Sequence, residues 1–203
     1  MSKIFVDEIV GNTGTTVTVP NLSGTNTIAT GGKIAGTDTG SIYAPGMPIQ
    51  VLSYTFADHI QITSTNFTGV IKDNCNITPK FSNSKILVRV SLQCNHDNNY
   101  SGLVRVYRTI GGSTTTIGEN NADDGAYWTH VWFNVRSVST ESLNSHSGEY
   151  MDSPATTSQI TYAVRGMTTG DAEGLCVNRT RADGAHVNQT PAFSAVTLME
   201  IAQ

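Results

Sequence analysis

The sequence predicts an all-β protein, with a jelly-roll-like β-sandwich over residues 49–203 and an N-terminal extended β arm or shaft over residues 1–48 that trimerises. Three observations carry that expectation. The first is composition: 38% of the 203 residues are hydrophobic and 14% charged, so much of the rest is Gly, Ser, Thr and Asn. Amphipathic helices need Leu, Ala, Glu and Lys on their surfaces. Thr and Val instead suit a pleated strand, and Gly and Asn supply bends. The second is alternation. In KILVRVSL (residues 85–92), Ile86, Val88, Val90 and Leu92 fall on one side of an extended chain, while Leu87, Arg89 and Ser91 fall on the other. The third is punctuation: polar turn clusters such as ITPKFSNS, HDNNYSG, IGGSTT and ENNADDG separate the apolar runs.

The arm comes first. Its β-like pieces are KIFVDEIV, TTVTVP, TNTIAT and GKIAGT, and composition changes near YAPGMP (residues 43–48). The apolar positions singled out in it are Ile4, Val6, Ile9, Val17, Val19, Ile28 and Ile34, with Phe5 and Tyr43 as its aromatics. So few apolar side chains cannot offset a backbone ordering cost of roughly 1–2 kcal/mol per residue. Two solutions exist: the arm is disordered, or it buries its thin apolar stripe against copies of itself. The alternation in FVDEIV and TTVTVP favours the second. A three-fold shaft would place Ile4, Val6, Ile9, Val17 and Val19 on a shared axis and turn the Thr faces to water.

From Ile49 the density of core residues rises. The predicted strands are Ile49–Phe56, Val70–Ile71 with its neighbours, Ile86–Gln93, Gly102–Ile110, Thr114–Ile117, Tyr127–Val138, Gln159–Arg165, Gly174–Asn178 and Ala195–Ile201. Short strands at this spacing, with no helical periodicity between them, point to a jelly-roll sandwich. Ser139–Pro154 reads as the one long irregular connection.

The net charge of −4 and scattered Lys and Arg argue against nucleic acid. No run approaches the roughly 20 apolar residues of a membrane span, and Asp7 and Glu8 interrupt the N-terminal patch too early for a signal peptide, so synthesis in cytoplasm is expected. Cys75, Cys94 and Cys176 are widely separated and read as buried, reduced thiols. His59, His96, His130, His146 and His186 show no metal-site spacing. With no GxSxG, HExxH or phosphate-cradling loop, no catalytic residue, metal or cofactor is expected. Glu119–Gly125 resembles a calcium loop, but its glycine falls one position late, so a solvated hairpin loop is the better reading, as for HDNN at 96–99. A weak receptor-contact patch for sugar hydroxyls is marked at Asn120, Asn121, Asp123, Asp124, Tyr127 and Trp128. Trp128 and Trp132 also fit one face of a single strand, which core or interface packing explains without a ligand.

Four segments in order, MSKIFVDEIVGNTGTTVTVP, ITPKFSNSKILVRVS, MDSPATTSQITYAVRG and VTLMEIAQ, resemble small fibre-like virion proteins of tailed phages, especially of marine and cyanobacterial hosts. The resemblance spans both halves of the chain. It implies an arm that attaches to other virion proteins and trimerises, a jelly-roll head displayed outward, and a location on the virion. The expected function is a short trimeric tail fibre or spike whose head binds the host surface, with a surface glycan as a candidate receptor. The alternative is a capsid decoration protein or head fibre. Deleting residues 1–44 is expected to leave a soluble, β-rich head with weakened trimerisation; light scattering showing an unchanged, salt-resistant trimer would contradict an assembly role for the arm.

Overall fold

A computed structural model describes residues 44–96, 99–118, 130–137, 139, 141–170, 173–181 and 192–203, all within one compact unit, Ile42–Gln203. The arm residues Ile4, Val6, Ile9, Val17 and Val19 lie outside the described residues. The strands are β1 (Pro48–Phe56), β2 (Ile60–Ile62), β3 (Gly69–Ile77), β4 (Lys85–Asn95), β5 (Gly102–Ile110), β6 (Ser113–Ile117), β7 (Phe133–Val135), β8 (Asn144–Asp152), β9 (Ile160–Thr168), β10 (Leu175–Val177) and β11 (Ser194–Ile201).

They form two antiparallel sheets. The first runs β1-β11-β4-β10-β2, with β8 on the free side of β4; the second runs β3-β9-β5-β6, with β7 also on β5. Three of these strands continue others. β11 pairs with β4 over Lys85–Ser91, and β10 takes over at Cys94–Asn95. β2 extends β1 in the same way, and β7 and β6 share one side of β5. Counting each broken line once, the eleven strands of the described residues reduce to eight, and in chain order the first line pairs with the eighth, the second with the seventh, the third with the sixth and the fourth with the fifth. Successive pairs alternate between the sheets. That winding is a jelly roll, so the expected all-β sandwich head is observed.

The alternation in β4 is what seats the core. Ile86, Val88, Val90, Leu92 and Cys94 are all fully buried, and so are their counterparts Val196 and Leu198 on β11. Across the sandwich they meet Ile160, Tyr162 and Val164 of β9 with Val104 and Val106 of β5. Truncating one such Leu or Ile to Ala costs about 2–5 kcal/mol.

Polar groups close both ends. At one end, Glu200 and Asp152 flank Ile86 in a single cross-strand row. Asp152 accepts from Arg108 Nη1 at 2.6 Å, Tyr162 Oη at 2.7 Å and Ser153 N at 2.9 Å, tying β8 to β5 and β9 of the opposite sheet. Glu200 accepts from Lys80 N at 2.7 Å, Phe81 N at 3.4 Å and Gln50 Nε2 at 2.6 Å, so its buried charge is compensated by amide donors. At the other end, fully buried Asn178 donates to the carbonyls of Phe56 (3.1 Å) and Asp58 (3.2 Å) and accepts from Ser194 Oγ at 2.6 Å.

Three sequence expectations are corrected. Ser139–Pro154 is not one irregular connection: it contains β8, nine residues that pair with β4 from Ile86↔Asp152 to Cys94↔Asn144. Its polar sequence hides it, because β8 is an edge strand whose outer face meets water. Its inner face is covered by two aromatics from elsewhere: Phe133 lies 6.0 Å from His146 (ring centroids) and Trp132 lies 6.5 Å from Tyr150. A side chain at Gly148 would run into the Phe133 ring, with its Cβ 3.0 Å from the nearest ring carbon. Second, of the expected strand Tyr127–Val138, the described part is extended only at Phe133–Val135. Trp132 sits before β7 with its indole N–H on the Ile117 carbonyl at 2.9 Å, and Trp128 lies outside the described residues. Third, β2 is an additional strand, too short to show alternation.

Gly174 makes the tightest of these joints, at the entry to β10. Its φ is +65°, and a Cβ there would sit 1.9 Å from the Ile62 carbonyl oxygen. Gly174→Ala should therefore destabilise by about 2–4 kcal/mol, lowering the melting temperature by roughly 5–15 °C. Gly46→Ala has a φ of +86° but open space around it, and should cost only about 1 kcal/mol. Equal melting temperatures for the two variants in differential scanning calorimetry would contradict this account.

Candidate interaction surface

The receptor-contact residues marked from sequence, Asn120, Asn121, Asp123, Asp124, Tyr127 and Trp128, all lie outside the described residues, as does His186. The other histidines are dispersed. His59 is exposed between β1 and β2, His146 lies on β8, and His130 precedes β7. His96 was expected in a solvated loop but is fully buried. Its Nε2 lies 2.9 Å from Thr168 Oγ1, whose own hydroxyl donates to the Gly170 carbonyl. Ser137 Oγ meets the backbone N–H of His96 (3.2 Å) and Asn144 Nδ2 (2.9 Å). This is a structural network beneath the surface. Among the described residues no three His, Cys, Asp or Glu gather as a metal set.

The thiols are free and buried, as expected. Burial pushes Cys75 up to about 12, with Lys72 pulling it down and Asp73 up by smaller amounts. Burial raises Cys94 as well, with Cys176 adding to the effect. Tyr162 is raised by burial first, then by the Asp152 charge and its hydrogen bond. These groups therefore stay protonated in the folded protein.

Among the described residues, the outer faces of the two sheets differ. On the second sheet, outward residues form rows of Thr161, Thr109 and Thr114, then Ala163, Tyr107 and Thr116, then Arg165 and Arg105. Several of these side chains find partners within the chain. Thr109 and Thr114 hydroxyls are 2.8 Å apart, Arg165 pairs with Asp73 at 2.9 Å, and Arg105 stacks 3.8 Å over the Phe67 ring.

The first sheet is organised otherwise. The register places Val51, Met199, Leu87 and Met151 in one row across β1, β11, β4 and β8. Val51 is 53% and Met151 42% exposed, so the apolar row faces solvent. The next row is Ser53, Thr197, Arg89 and Glu149, and the next is Thr55, Ala195, Ser91 and Ser147. A shallow groove of about 300 Å³ runs over these rows, lined by Leu87, Arg89, Ser91, Glu149, Thr197 and Met199. Phe193, 68% exposed, borders its far end. Among the described residues, neither Arg89 nor Glu149 takes part in an ion pair, although they are cross-strand neighbours. The signal for this face was present in the outward side of KILVRVSL, where Leu87 stands beside Arg89. What β8 adds to it had no such signal.

No protein-family model matches the chain, and no curated protein matches it. Among solved structures, the VP2 subviral particle of infectious bursal disease virus is 15% identical, with a TM-score of 0.42, over 84% of this chain and 46% of that one. T=1 particles derived from the same virus are 16% identical, with a TM-score of 0.40, over 84% and 41%. The chain thus spans less than half the length of the chains it matches.

The β8 edge should respond to pH through His146. Burial against Phe133 lowers its pKa below the usual 6.5, and its Nε2 has no hydrogen-bond partner among the described residues. The unfolded chain, titrating near 6.5, therefore binds this proton before the folded one does. The stabilising contribution is complete above about pH 6.5 and is lost as pH falls toward the lower folded value. The urea midpoint should fall between pH 7.5 and 5, and His146→Gln should shrink that fall. An identical fall in the variant would remove His146 from the account.

Proposed function

We propose that the chain is a virion surface protein: a short trimeric fibre or spike, anchored to other virion proteins by residues 1–48 and presenting the sandwich to the host surface. The observation that carries this is the closure of the sandwich. Its core is apolar at the centre and sealed at both ends by hydrogen-bonded polar groups, which leaves outer sheet faces and loops as the means of contact. A rigid scaffold of this kind suits recognition by surface groups. The ordered resemblance of four segments to phage fibre-like proteins supports the same role. Catalysis forms no part of it, and a surface glycan is the ligand class assigned to the loops.

A capsid decoration protein is the second reading. It is favoured by the apolar row Val51, Met199, Leu87 and Met151, since a lattice neighbour would cover such a stripe. Immunogold electron microscopy of intact particles, with antibody against residues 49–203, separates the two. Label confined to the tail is the expected result; label spread over the capsid would replace the fibre with decoration, and unlabelled particles would remove the virion role.

A further inference from the structure

We infer that the heads pack on one another through the outer face of the β1-β11-β4-β8 sheet, around an axis running along its strands. Such packing presupposes the trimer proposed above and names the head surface that builds it.

The geometry follows from register. A rotation axis parallel to the strands carries each cross-strand row onto the same row of the neighbouring copy, at the same height. The row Val51, Met199, Leu87 and Met151 therefore meets itself, and a stripe exposed in one chain becomes an apolar ring in three. One row along, about 7 Å away at two residues of strand rise, each copy offers Arg89 on β4 and Glu149 on β8. With the axis placed over β4 and β8, Glu149 of one copy stands next to Arg89 of the following copy, so Arg89 meets Glu149 of the partner subunit all round the axis. Both side chains are exposed and neither is in an ion pair within its own chain. The third row, Ala195, Ser91 and Ser147, is small enough to let the sheets approach.

The second sheet lacks this pattern. Its outer face mixes Thr, Tyr107, Ala163 and Arg with exposed Val70 in the row of Arg165 and Arg105; Arg165 pairs with Asp73 and Arg105 stacks on Phe67 of the same chain, and two arginines in one row repel on any level-preserving contact. Size explains why the arm is needed too. Four strands at about 4.8 Å and three rows at about 7 Å give a face of roughly 400 Å², short of the ~800 Å² per partner of a free-standing interface. The face sets the rotational register of the heads, and residues 1–43 supply the rest of the affinity.

The test uses the full chain and sedimentation equilibrium. Arg89→Glu and Glu149→Arg each place like charges together and should raise the concentration at which the trimer dissociates by at least about tenfold. The double swap Arg89→Glu with Glu149→Arg restores opposite charges and should return it toward that of the unaltered chain. Met151→Lys, which puts a charge into the apolar ring, should weaken the trimer without a partner to rescue it. Circular dichroism and melting of each variant report the fold separately, since all of these side chains are exposed. Three variants as trimeric as the unaltered chain would remove this face while leaving the trimer standing. Single reversals that dissociate but are not rescued by the swap would also overturn the pairing. An unaltered chain that is monomeric at all concentrations would overturn the trimer itself.

Discussion

β4 is the strand on which the rest of the molecule depends. It is bonded along both edges, to β8 on one side and to β11 and β10 on the other, and its inward side chains from Ile86 to Cys94 are all fully buried. A slip of one residue would exchange that inward set for Leu87, Arg89, Ser91 and Gln93, carrying a charge into the core. The register of β4 therefore decides the register of β11 and β8, and through them which residues appear on the outer face. The apolar row and the charged row beside it are a consequence of the same pairing that fills the core.

The ends of the sandwich obey a second constraint. Asp152 and Glu200 are nearly or fully buried, and each survives there only because donors surround it: a guanidinium and a phenol for one, two backbone amides and a Gln side chain for the other. Removing one partner of such a set leaves a buried charge uncompensated, which typically costs about 3–5 kcal/mol. Asp152 also joins the sheets, because it belongs to β8 and its donors to β5 and β9. The edge strand with the least apolar sequence is thus held by the backbone ladder to β4, by this ionic tie, and by the Trp132 and Phe133 rings.

Strands whose two faces see different environments were legible in the sequence. Gly102–Ile110 matches its expected bounds, and the strands over residues 48–56, 85–95, 113–117 and 194–201 fall within two residues of theirs. Alternation is a local property, and it survives wherever one face is buried. It failed for β8, since His146 and Tyr150 point toward aromatics supplied from residues 132–133 and Asn144 toward Ser137, pairings that no local pattern encodes. It failed for Tyr127–Val138 in the opposite sense. A run rich in aromatics looks like a strand, but the Trp132 indole is committed to the Ile117 carbonyl and β7 is only three residues long. The apolar and charged rows of the outer face were half legible: Leu87 and Arg89 stood out on the solvent side of a core strand, whereas Met151, Glu149 and Met199 became their neighbours only through pairing across long sequence separations.

By itself, the sequence determined that this chain builds strands and turns, that its thiols stay buried and reduced, and which side of β4 faces inward. Those are outcomes of composition and of a period of two, which act over a few residues. Tertiary structure alone decided that eight lines of strand wind as a jelly roll, that a polar segment serves as the edge strand β8, and that four outward apolar residues from four strands lie side by side. Each of these depends on contacts between residues tens to more than a hundred positions apart, and such contacts are set by how the two sheets close over one core.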